Sequence, residues 1–340
     1  MVHNHILTLS FQNEKERILY QGESNYNATI TDELIIKENA IIIHFNRSRK
    51  FDVESMLFTQ NSIIRFELQR ALCVYIAAVG SIPRILSLTL QTKNNTFSIE
   101  HESFTKQWEN FKLDHTLPIE ALAHIFQNKG KKAYIALSYF IEAQLIHEST
   151  ERFRMAWSGV NALINILVAE KEAQQENKKI KALSYYMKQS CQTMKNACET
   201  VDTLPEPFWK QLQWYQFYHG KSAKTANAFL SNTLCHGQYT DSLLIEKIGK
   251  YCVTFVKDEK EKERFKKRLQ VVKQKTTLAP KDRVNFLTCE YCYMVRNRSF
   301  HAVQAYPVFC ITKETGVNVT HMLSDVLISL CKDLMIDFAR

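Results

Sequence analysis

Near the C-terminus the chain reads CEYCYMVRNRSFHAVQAYP. Within it, Arg296-Asn297-Arg298-Ser299-Phe300-His301 puts two guanidiniums, an amide and an imidazole in six consecutive residues. These side-chain types can handle a phosphate. An arginine can hold one bidentately. A histidine titrates near neutrality, so it can take and return a proton. The plain alternative is a solvated helix end, where cations sit well against the helix dipole. On an ideal helix Asn297 and His301 share a face, whereas Arg296 and His301 point about 140° apart. The pair converges if the arginine wraps round, if the helix loosens near Phe300, or if a second protomer brings its own copy across a two-fold axis.

No other chemical constellation competes with this one. Cys289 and Cys292 have zinc-like spacing, but the chain has no second CxxC, and the pair lies in an apolar helical run where small buried thiols are ordinary. His3 and His5 lie near the start without supporting acids. No Ser-His-Asp, HExxH or paired-carboxylate arrangement stands out, and neither G-x-x-x-x-G-K-[ST] nor G-x-G-x-x-G is present. No metal and no cofactor are expected.

The elements that must position the motif read as follows. Residues 1–104 are mainly strands: HILTLSF alternates, DELIIKENAIIIHF turns at Glu38-Asn39, and RILSLTLQT and NTFSIEH flank Lys93-Asn94-Asn95. One helix interrupts them from Ser62 to Gly80, with Ile64, Leu68, Ala71, Val74 and Tyr75 on one stripe. After a polar connection the periodicity stays helical. Helices are expected at 119–127, 131–149, 151–171, 179–201, 206–218, 223–231, 240–275, 280–301 and 317–338. Core stripes run through Phe153, Trp157, Val160, Ile164 and Leu167, and through Val319, Leu323, Val326, Leu330 and Leu334. The fold class is therefore α+β. A β-rich domain spans 1–104, a linker and connecting helix 105–129, and a larger all-helical domain 130–340.

Charge follows this division. Residues 1–125 hold 12 Lys+Arg against 14 Asp+Glu, and residues 126–340 hold 32 against 21, so the whole excess of +9 belongs to the helical part. That asymmetry points to a polyanion partner, nucleic acid above all. The run KDEKEKERFKKRLQVVKQK (257–275) reads either as a solvated helix or as an RNA contact. Nine scattered cysteines suit reduced thiols, MVHNHILTLSF lacks the pattern of a signal peptide, and the run from Ala71 to Gly80 is too short for a bilayer. A soluble cytoplasmic protein with no membrane partner is expected.

Arg-Asn-x-x-x-His at the end of a late helix resembles the signature of HEPN domains (higher eukaryotes and prokaryotes nucleotide-binding). The resemblance covers roughly residues 130–340. The stretch ALSYFIEAQLIHESTERFRMAWSGVNALINIL is similar to the larger, Apea-like branch, whose helix carries W-x-x-x-E-x-L. Trp157, Asn161 and Leu163 fall in that frame, with Asn161 in the acid's place, and Ala302 stands where a glycine often follows the histidine. The resemblance implies a homodimeric, metal-independent endoribonuclease of toxin, phage-defence or stress systems. Arg296, Asn297 and His301 would be catalytic, and Arg298 and Asn161 would contact substrate. Residues 1–104 would then serve as a sensor or bind a regulatory partner or ligand. A non-catalytic RNA-binding or protein-interaction module on the same scaffold, and a scaffold without nucleic acid, are the other two readings.

Overall fold

In the computed structural model the described residues are 3–27, 30–47, 59, 62–100, 111–126, 131–167, 176–189, 194–212, 259–260, 263, 267, 280–300 and 317–339. The chain divides into two compact units. One holds Met1–His147, Ser158–Leu167 and Leu334–Arg340, and the other Glu148–Trp157 and Val168–Asp333. An antiparallel sheet and many helices make the whole a mixed α+β protein.

The first unit is built on alternation. Strands β1 (His3–Phe11), β2 (Ile18–Asn27), β3 (Ile30–Lys37), β4 (Ala40–Arg47), β5 (Ile85–Gln91) and β6 (Thr96–Glu100) form one sheet in the order β2-β3-β4-β1-β5-β6. Every neighbouring pair is antiparallel. The period-2 pattern buries one face: Leu7, Leu9 and Phe11 lie beside Ile41, Ile43 and Phe45, with Leu34, Ile36, Leu88 and Leu90 in the same layer. His5 belongs to this layer, its ring 5.3 Å from that of Phe45. Strands β3–β4 and β5–β6 turn where the sequence predicts. Strand β2 was not anticipated, because ILYQGESNYN carries no clean alternation.

Helix α1 (Ile63–Val79) packs against β2, β3 and β4. The Ser62 side chain accepts from Arg65 N–H at its start. Gly80 closes it at φ 79°, donating to the Ile76 carbonyl at 2.8 Å. A Cβ at this position would come within 2.7 Å of the Thr116 methyl. The expected stripe is corrected at one point. Leu68 is half-buried, while Glu67 and Arg70 are buried. Arg70 Nη1 donates to Glu67 Oε1 at 2.8 Å, Ser24 Oγ donates to Glu67 Oε2, and Arg70 Nη2 donates to the Ile125 carbonyl. The helix buries charge because each charged group has a partner waiting there.

Residues 111–118 are held, not loose. Leu113 N–H donates to the Gly80 carbonyl at 2.7 Å and Leu117 N–H to Ala77 at 2.9 Å. Helix α2 (Ile119–Ala123), a 3₁₀ turn (His124–Phe126) and α3 (Lys131–Leu145) follow, and α3 packs on α1. Helix α4 (Ser149–Leu167) contributes its later residues to this unit and its first ones to the other.

The second unit shows no strand among its described residues. Its helices are α5 (Glu176–Gln189), α6 (Lys195–Asp202), α7 (Glu206–Gln211), α8 (Pro280–Asn285), α9 (Tyr293–Phe300) and α10 (Val319–Phe338, to Asp333). The single helix expected over 179–201 is two helices. The Asp333 carboxylate explains the second start: Oδ2 accepts from Ala197 N–H at 2.9 Å, and Oδ1 accepts from Asn196 N–H at 3.2 Å and from its amide at 2.6 Å. A cap supplied by another helix satisfies donors that α6 cannot satisfy itself. The helix expected at 223–231 and most of 240–275 lie outside the described residues. Of the charge run, Glu259, Lys260, Glu263 and Lys267 are described and exposed. Among the described residues no helix is long and apolar enough to cross a membrane.

Candidate functional site

The motif ends one long helix that changes its winding on the way. Residues 280–285 are α-helical, Phe286–Cys292 are π-helical, and 293–300 are α-helical again. Pro280 stands at the start, and Asp282 lies in the first turn, where a negative charge suits the dipole. Thr288 lies within the π-helical stretch. Its Oγ1 donates to the Val284 carbonyl, the acceptor that an α-helix reserves for its own ladder. Residues 284–289 are buried without interruption, wider than one α-helical stripe. Longer hydrogen-bonded loops wind fewer degrees per residue, so the π-helical stretch turns the motif relative to the apolar face upstream. The loosening considered near Phe300 thus occurs upstream of Arg296, and α9 is regular through Phe300.

Two of the expected site residues are brought together. Arg296 Nη1 donates to Asn297 Oδ1 at 2.9 Å, and both residues are half-buried. The bond fixes the amide against the guanidinium. Arg298 belongs to the same helix. His301 lies outside the described residues. Trp157 is buried at 2% exposure, and its ring lies 6.3 Å from that of Tyr293, one turn before Arg296. That contact seats the start of α4 against the motif helix. Asn161 is half-buried one turn beyond Trp157, in the stretch of α4 that belongs to the first unit.

Electrostatics along the helix separate inert groups from titratable ones. Burial pushes the Cys289 and Cys292 thiols well up, so both stay protonated. Among the described residues no group of three or more His, Cys, Asp or Glu is placed to hold a metal ion. Glu290, between the two cysteines, is different. Burial pushes its carboxyl up to about 7, and Lys188 and Lys181 of α5 pull it down. Asp282 is raised for the same reason, against Lys188 and Lys281. In the sequence CEYC reads as a thiol pair, and the acid between the two cysteines is not among the expected site residues. Its signal was a lone glutamate inside an apolar run.

A second feature of α5 was also missed. Ile180, Leu183 and Met187 are buried, while Lys178, Lys181, Tyr185 and Lys188 are exposed on the other side. The signal lay in the spacing of three, four and three residues, a single helical stripe. No family model, curated protein or solved structure matches the chain.

Proposed function

We propose that the chain is a metal-independent endoribonuclease of the HEPN type, working as a homodimer in a toxin, phage-defence or stress response. The observation that carries this reading is the hydrogen-bonded Arg296–Asn297 pair at the end of a buried helix, with His301 following in sequence. The chemistry uses the RNA's own 2′-hydroxyl. His301 removes its proton as the 2′-oxygen bonds to phosphorus, and the bond to the 5′-oxygen breaks. The proton returns to that leaving oxygen. Arg296 spans two phosphate oxygens and stabilises the charge they gain. Asn297, held by Arg296, orients the imidazole or a phosphate oxygen, and Arg298 contacts the strand. The products carry 2′,3′-cyclic phosphate and 5′-hydroxyl ends, and DNA resists because it lacks the 2′-hydroxyl.

The test compares wild type, His301→Ala and Arg296→Ala on total RNA in EDTA, with end-group analysis. Cleavage by wild type alone, leaving cyclic phosphates, is expected. Equal cleavage by all three proteins would sink the assignment. Asn161 in the place of an acid favours a second reading, a non-catalytic RNA-binding module. Salt-sensitive RNA binding without cleavage by any of the three would select it.

A further inference from the structure

We infer that the exposed face of α5 is a binding track for single-stranded RNA, with Tyr185 as a stacking platform between lysines. The inference rests on the reading that RNA is the ligand, and it assigns where the strand lies outside the cleavage motif.

Three observations converge. First, Lys178, Lys181, Tyr185 and Lys188 share one face of α5 and are all exposed. Their span of ten residues covers about 15 Å of helix surface. Second, Tyr185 is 68% exposed, an unusual placement for a large ring. Its neighbours one turn away include Lys181 and Lys188, and Ala182 is the one apolar residue among them. A protein-docking surface would gather apolar neighbours around such a ring, whereas a ring set between cations suits a base with its flanking phosphates. Third, among the described residues no ion pair engages these lysines. The carboxyls that act on them, Glu290 on Lys181 and Lys188 and Asp282 on Lys188, are both raised by burial, Glu290 to about 7.

Location adds to this. Helix α5 packs against the π-helical stretch that leads into Arg296, and Lys181 and Lys188 both act on Glu290 there. The track therefore belongs to the same unit as the motif and borders its helix. The stacking ring selects unpaired RNA, because a duplex hides its base faces.

The experiment uses the full-length protein in EDTA and a fluorescent 20-nucleotide unstructured RNA with 2′-O-methyl sugars, which cannot be cut through the 2′-oxygen. Anisotropy across a salt series gives affinity and slope. Tyr185→Ala is expected to weaken binding about fivefold or more. Lys178→Gln/Lys181→Gln/Lys188→Gln is expected to lower the slope of log K against log salt by about 2, since three phosphates lose partners. Circular dichroism checks folding, which these exposed sites should not disturb. Wild-type affinity and slope in both variants would overturn the track even if natural RNA is still cleaved. Losses in both variants, with no cleavage by wild type, would keep the track and remove the ribonuclease. Equal loss for a paired RNA would overturn the stacking role of Tyr185. Retained RNA binding with loss of binding to an acidic peptide would reassign the face to a protein partner.

Discussion

At Glu290, burial outweighs the two lysines that face it, and the carboxyl titrates near about 7. A raised folded-state value means that the fold favours the protonated form. Its stabilising effect is full below the ordinary glutamate value and is lost as pH rises through about 7. Glu290→Gln keeps the shape and removes the titration. Urea unfolding should find it more stable than wild type by up to about 3 kcal/mol at pH 8, and by less than about 1 kcal/mol at pH 5. The same difference at both pH values would refute the account. Glu67 and Arg70 pose the opposite case, since each neutralises the other without water. Arg70→Met strands a buried carboxylate and should cost about 3–5 kcal/mol, whereas adding Glu67→Leu should recover part of that loss. A double variant as unstable as the sum of the singles would show that the pair does not act as one unit. Neither position was legible beforehand. In the sequence Glu67 and Arg70 look like the polar face of a helix, and only the approach of Ser24 and Ile125 turns them inward. Arg296 and Asn297 stand out in the sequence as neighbours of suitable chemistry, but the bond between their side chains is seen only in the fold.

Among the elements, those that carry their own signals could be read directly. The β3–β4 and β5–β6 hairpins follow from alternation and turn residues, and α1 follows from Ser62 and Gly80. Elements that owe their form to a distant partner could not. Strand β2 alternates weakly, yet it pairs along β3 and receives the Ser24–Glu67 bond. The break between α5 and α6 depends on Asp333, more than 130 residues later in the chain. Nothing in the residue pattern of 286–292 announces its π-helical winding. The cap gives a prediction at this scale. Asp333→Ala removes the acceptor for two backbone N–H groups and one amide, and should cost about 1–3 kcal/mol. Hydrogen exchange should then quicken most at Asn196 and Ala197. Uniform quickening along α10, with α6 unchanged, would mean that the carboxylate serves its own helix instead.

Across the whole molecule, charge is divided as sharply as secondary structure. Residues 1–125 carry a net −2 and residues 126–340 a net +11. An anionic strand gains counterion-release free energy only where it meets clustered cations, so the field favours the later residues and disfavours the sheet. Lys178, Lys181 and Lys188 sit within that excess, as do Arg296 and Arg298. Photo-cross-linking of the full chain to the non-cleavable RNA should therefore place modified peptides within 126–340, with Tyr185 among them. Strands β1 to β6 should give none, since they lie in the part of the chain that carries net negative charge. Cross-links that concentrate on the strands would contradict the assignment of RNA to the basic part. They would make the sheet the ligand-reading surface, and the positive charge would then need another explanation.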